Sequence, residues 1–188
     1  PPKGLYITTD ECVVKSLIIN YFRSSGYGIL IEAANSNRIY GCYIGTDATG
    51  ANSVNNYIGI GMASHSQSNI IGSTESANIN IISGNAGSGV YISASDTNEV
   101  IGNYIGLTAT GEAVLVGNSQ GGINIYNGSS YNKVGNGTDS GRNIISGNPY
   151  FGVDINGTDN YPTGNIVSGN YIGTNKGGTV AFGNGNSG

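Results

Sequence analysis

The chain has 188 residues, a formal net charge of -4 and only 10 % charged residues. Its few Lys and Arg form no basic patch, which excludes nucleic acid as a partner, and no run of about 18 apolar residues offers a membrane span. At 37 % hydrophobic residues, a chain this long fills one core, so a single domain over 1–188 is expected.

From the first residues onward a short phrase, Gly-apolar-x-apolar, returns six times: Leu5/Ile7, Ile29/Ile31, Ile60/Met62, Val90/Ile92, Ile123/Ile125 and Val153/Ile155. Alternation of this kind marks half-buried strands. Successive pairs lie roughly 30 residues apart, too close for helical crossovers, and no helix-period segment separates them. The 33 Gly and many Asn recur between short Ile, Val and Tyr runs, where they read as turns. Each pass is expected to form one coil of a solenoid, beginning near Leu5, Ile29, Ile60, Val90, Ile123 and Val153. Six coils stacked at about 4.8 Å make a rod of about 29 Å.

A second phrase is spoken three times: Asn37 to Gly45 (NRIYGCYIG), Asn98 to Gly106 (NEVIGNYIG) and Asn165 to Gly173 (NIVSGNYIG). It supplies two further short strands around a bend, giving three strands per coil. Its leading residue aligns as Asn37, Asn69, Asn98, Asn132 and Asn165, with Cys12 at the equivalent place in the first coil. Stacked side-chain amides there would form an asparagine ladder, in a bend whose left-handed backbone Asn tolerates. Insertions alternate, after Gly45, Gly106 and Gly173 in even coils and after Gly72 and Gly135 in odd ones, so the full repeat is a pair of coils.

These repeats resemble the right-handed parallel β-helix repeats of the pectin-lyase-like superfamily, and are similar to repeat arrays in large secreted or surface proteins of bacteria and archaea. The resemblance spans nearly the whole chain. It implies an all-β right-handed parallel β-helix and an extracellular or cell-surface location, with which the Lys-poor, Asn-, Gly-, Ser-, Thr- and Tyr-rich composition agrees. It does not imply catalysis. The superfamily's lyases carry a groove-side acidic Ca2+ cluster with an Arg or Lys base, and its hydrolases carry paired aspartates with Gly-His-Gly and Arg-Ile-Lys. Here the single His65 lies in Ala-Ser-His-Ser-Gln, and neither an Asp-Asp pair nor Arg-x-Lys occurs. Asp154 is the one acid expected to project from a strand, in a row with Tyr91 and Asn124. No catalytic residue is assigned.

Thr46-Asp47, Thr138-Asp139 and Thr158-Asp159 each follow Gly and are the candidate Ca2+ ligands. The alternative, that each Asp caps its own turn, is preferred because Thr108 replaces Asp47 in the next copy of that loop; no cofactor is expected. Tyr43, Tyr104 and Tyr171 occupy equivalent outward positions on alternate coils, suited either to stacking on sugars or to packing beneath the inserted loops. Asn127, Asn136 and Asn156 begin Asn-Gly-Ser/Thr sequons, the candidate glycosylation acceptors. Cys12 and Cys42 fall about five residues apart along adjacent coils, too far for a disulfide. No capping helix is visible at either end. The expected function is therefore a non-catalytic extracellular structural, spacer or adhesive module that stacks end to end on copies of itself or on flanking repeats and contacts cell-surface glycans. A polysaccharide-active or polysaccharide-binding protein is the alternative.

Overall fold

In the computed structural model, residues 1–157 and 160–185 are described. They wind into a right-handed parallel β-helix of six coils with three sheets of six strands each. Sheet A contains Lys3–Ile7, Tyr27–Glu32, Ile58–Ala63, Ser88–Ser93, Gly121–Tyr126 and Val153–Ile155. Sheet B contains Val13–Lys15, Arg38–Tyr40, Ile70–Gly72, Glu99–Ile101, Lys133–Val134 and Ile166–Val167. Sheet C contains Ile18–Ile19, Tyr43–Ile44, Asn80–Ile82, Asn103–Ile105, Ile144–Ile145 and Tyr171–Ile172.

The register is the one the alternating phrase dictates. Leu5, Ile29, Ile60, Val90, Ile123 and Val153 are consecutive partners along sheet A. Because side chains alternate in a strand, this register sends every second residue inward. The inward stacks are Ile31, Met62, Ile92 and Ile125 from sheet A, Ile39, Ile71, Val100 and Val134 from sheet B, and Ile44, Ile82, Ile105 and Ile145 from sheet C, all fully buried. Each such side chain contributes about 2 kcal/mol of burial, so the stacks supply most of the cohesion. Among the described residues the one short helix, the 3-10 turn Ser76–Asn78, belongs to an odd-coil insertion, and no helix is long and apolar enough to cross a membrane.

Asparagine runs along all three corners rather than the single one expected from sequence. The anticipated ladder joins Asn37, Asn69, Asn98, Asn132 and Asn165, with amide-to-amide distances of 2.9–3.1 Å. A second joins Asn80, Asn103, Asn143 and Asn170 between sheets B and C. A third joins Asn56, Asn85, Asn118, Asn148 and Asn184 at the return to sheet A. The left-handed residue at the first corner is also not the ladder Asn but the residue before it: Glu11, Ser36, Ser68, Thr97 and Tyr131 all have φ between 56° and 58°. The preceding residue makes the bend, and the Asn side chain then folds inward to bind the backbone it exposes.

Both thiols are unpaired, with Cys42 buried and Cys12 partly exposed. Cys12 precedes Val13, which pairs with Arg38, so it faces Asn37; Cys42 faces Leu17 by the same register. Burial raises the Cys42 thiol above its ordinary pKa.

Candidate functional site

Two concave surfaces are built on the outside of the coils. The first covers sheet C, whose outward row in register is Ile18, Tyr43, Ile81, Tyr104, Ile144 and Tyr171. Ile81 and Ile144 are buried and the three tyrosines half-buried. The even-coil loops arch over this row and stack on one another across the intervening coil, Ala109 N–H donating to Gly50 O and Lys176 N–H to Gly111 O, both at 3.0 Å. Each loop closes upon its own tyrosine. A Cβ built on Gly111 would lie 2.8 Å from the Tyr104 ring, so only glycine lets that loop pass.

Between these loops and the odd-coil insertions runs a cleft with a cavity of about 730 Å3 bordered by Tyr43, Ile81, Tyr104 and Lys176. A neighbouring cavity of about 450 Å3 shares Tyr104 and Lys176 and adds Arg142. Tyr43 and Tyr104 are thus brought together. Tyr171 is separated from them, its ring covered by the Arg142 guanidinium at 4.0 Å. Arg142 also pairs with Asp139 at 2.6 Å, and Lys176 lies 3.7 Å from Glu112. Burial, and then the Glu112 carboxylate, push the Tyr104 phenol above its ordinary pKa.

The second surface lies on sheet A, with Tyr6, Leu30, Gly61, Tyr91, Asn124 and Asp154 as its outward row. A cavity of about 360 Å3 opens there among Ser88, Tyr91, Gln120, Asn124, Tyr126 and Tyr150. Tyr91 and Tyr126 meet edge to face, their centroids 5.8 Å apart. Asn124 Nδ2 donates to the Tyr126 hydroxyl at 3.1 Å, and that hydroxyl donates to the Asp154 carboxylate. Burial first, and the Asp154 contact second, raise the Tyr126 pKa. Asn124 is 2 % exposed, yet its Oδ1 has no partner among the described residues. A buried acceptor left open is costly, and a donor entering the groove would satisfy it.

The sequence singled out the tyrosine row and placed Asn124 in a row with Tyr91 and Asp154, but did not single out Tyr126, Tyr150, Arg142 or Lys176. Strand alternation alone places Asn124 and Tyr126 outward, so those two were legible. Tyr150, Arg142 and Lys176 arrive from loops whose paths no periodicity specifies.

The acidic candidates serve their own loops. Asp47 Oδ1 accepts from Thr49 N–H at 3.1 Å and Thr49 Oγ1 at 2.7 Å, while Oδ2 accepts from Asn52 Nδ2 at 2.7 Å. The Asn52 and Thr49 side-chain bonds hold this carboxyl well below the usual carboxylate range. Asp139 is engaged by Arg142, and Asp159 lies outside the described residues. Among the described residues no three His, Cys, Asp or Glu side chains converge as a metal site would require. The sequon residues Asn127, Asn136 and Asn156 are all exposed; Asn127 Nδ2 donates to Ser93 Oγ, and Asn136 Oδ1 caps the Thr138 turn. Compared with known proteins, the chain matches no family model, no curated protein and no solved structure.

Proposed function

We propose that the chain is a non-catalytic structural, spacer or adhesive β-helix module of an extracellular or cell-surface protein, stacked on further coils at its ends. The observation that carries this is where the charged and amide side chains go. Asp47 binds its own turn, Asp139 binds Arg142, Glu99 binds Lys133 at 3.0 Å, and fourteen asparagines are occupied in coil-to-coil ladders. Acid–base hydrolysis or elimination on a glycan needs acids or bases facing a substrate rather than their own loops. The pectin-lyase-like likeness of the repeats supports the extracellular assignment and supplies the activity to test. Incubated with polygalacturonate and Ca2+, the protein is expected to give no rise in the ultraviolet absorbance of an unsaturated product. A steady rise proportional to protein would overturn the non-catalytic assignment.

The groove on sheet A favours a second, compatible reading as a polysaccharide-binding surface. Its exposed tyrosine faces suit sugar rings, the open Asn124 acceptor suits a hydroxyl donor, and Asp154 disfavours an acidic ligand. Neutral glycan chains are the class that fits. In affinity electrophoresis through gels containing neutral polysaccharide, Tyr91→Ala is expected to migrate faster than the unaltered chain, the retardation dropping severalfold. Equal retardation of the two in every glycan tested would remove this reading.

A further inference from the structure

Among the described residues, Asn124 Oδ1 is the one buried side-chain nitrogen or oxygen without a hydrogen-bond partner. The rest of the amide sets its direction. Nδ2 is held on the Tyr126 hydroxyl, so Oδ1 turns the other way along the strand, toward Gly121, where an added Cβ would stand 3.1 Å from it. At that end of the groove Ser88, Gln120 and Tyr150 border the cavity. Tyr126 in turn donates to the Asp154 carboxylate, so a negative charge lies one hydrogen bond behind it. No Lys, Arg or His borders this cavity or the neighbouring one of about 250 Å3 that shares Tyr91 and Tyr126. An open acceptor, tyrosine faces and a carboxylate together attract a cation.

The chain contains a filled version of the same arrangement. Tyr6, in the first strand of sheet A, donates its hydroxyl to the Glu32 carboxylate of the next coil, and Lys3 Nζ lies over the ring at 3.6 Å from its centroid. Arg142 covers Tyr171 at 4.0 Å and Arg23 covers Tyr21 at 4.1 Å in the same manner. Tyr126 also donates to a carboxylate of the next coil, yet among the described residues no cation lies over Tyr91, Tyr126 or Tyr150. What Lys3 supplies at Tyr6 has no counterpart within the chain at Tyr126.

We infer that the cavity among Tyr91, Asn124, Tyr126 and Tyr150 takes the ammonium of a lysine side chain presented by a protein partner. Its three N–H donors meet Asn124 Oδ1 and the hydroxyl oxygens of Ser88 and Tyr150, while the hydrocarbon stem lies along the tyrosine faces. Depth selects the lysine. Oδ1 is closed to solvent, and an ammonium on a flexible four-carbon stem reaches it once the exposed Tyr150 ring turns aside, whereas an amine fixed to a sugar ring stays at the rim. A quaternary ammonium brings the charge but no N–H for the oxygen. The net charge of -4 favours the approach of a basic surface. The inference rests on the assignment of the chain as an adhesive module and names the group that such a module holds.

Titration of the full chain with the blocked peptide acetyl-Gly-Lys-Gly-amide, followed by nuclear magnetic resonance, tests it. The peptide is expected to move the Asn124 side-chain amide signals saturably. The Nε-acetylated peptide should bind at least about tenfold more weakly, and the Nε-trimethylated peptide, which keeps the charge, severalfold more weakly. Asn124→Leu should bring the lysine peptide down to the level of the trimethylated one; where that variant does not fold, the three peptides compared on the unaltered chain decide the matter. Absent binding, or equal binding of the lysine and acetylated peptides, would overturn the inference, as would shifts confined to acidic loops elsewhere. Glucosamine binding more tightly than the lysine peptide would also overturn it, assigning the cavity to an amino sugar. None of these outcomes alters the polygalacturonate absorbance, so failure here is distinguishable from failure of the non-catalytic module.

Discussion

Asn98 shows how much one side chain does in this fold. Its Oδ1 receives the N–H and Nδ2–H of Asn69 at 2.9 Å, its own N–H and Nδ2–H reach Asn132, and Nδ2 also reaches Ser66 O. It is fully buried, so Asn98→Ala strands several polar groups away from water. At about 1–3 kcal/mol for each group left unpaired, the loss is expected to exceed about 3 kcal/mol in urea unfolding. Asn165→Ala, at the half-exposed end of the same ladder, should cost about 1 kcal/mol because water replaces what is removed. Equal costs at the two positions would mean that the ladder is not a buried network. The residue scale is also where sequence was least legible. Asn37, Asn69, Asn98, Asn132 and Asn165 head a repeated phrase and could be aligned. Asn80 and Asn143 close insertions that the coils of Asn103 and Asn170 lack, and Asn56 and Asn118 follow the even-coil loops, so spacing hides that they stack.

At the scale of elements, strands were legible and loop positions were not. Period-2 alternation with glycine punctuation fixes the register of sheet A, since a slip of one residue would turn Ile29 and Ile31 outward. Where Tyr150 or Arg142 comes to rest depends on turn geometry with no period to read. The loop at 46–53 is held by Asp47, whose carboxyl is depressed by hydrogen bonds from Asn52, Thr49 and the loop backbone. A carboxyl whose folded pKa lies below its unfolded value stabilises the loop above the ordinary aspartate range, about pH 4, and that contribution is lost as pH falls through the folded value. The amide signals of Thr49 and Ala51 are therefore expected to stay fixed while an acid titration passes about pH 4 and to move only well below it. Movement centred near pH 4 would show a carboxylate free of the loop. Asp47→Ala should loosen the loop at neutral pH without changing the unfolding of the core, because Asp47 is a half-buried loop residue outside the inward stacks.

For the whole molecule, three apolar stacks and three amide ladders run the same way along one axis, so corners as well as strands are bonded from coil to coil. Such a body is stiff along its length and carries its variation on outer faces, which is what a spacer or an adhesive module requires. Repeat proteins whose units touch only their neighbours ordinarily open first at their turns and ends. Here the corner amides of Asn69, Asn98, Asn85, Asn118 and Asn103 donate to buried carboxamides one coil on. Native-state hydrogen exchange, resolved by residue, tests this central claim most directly. The corner N–H groups are expected to exchange as slowly as those of Ile60, Val90 and Ile123 in sheet A, through global unfolding alone. Fast exchange at the corners beside slow exchange in the strands would contradict it.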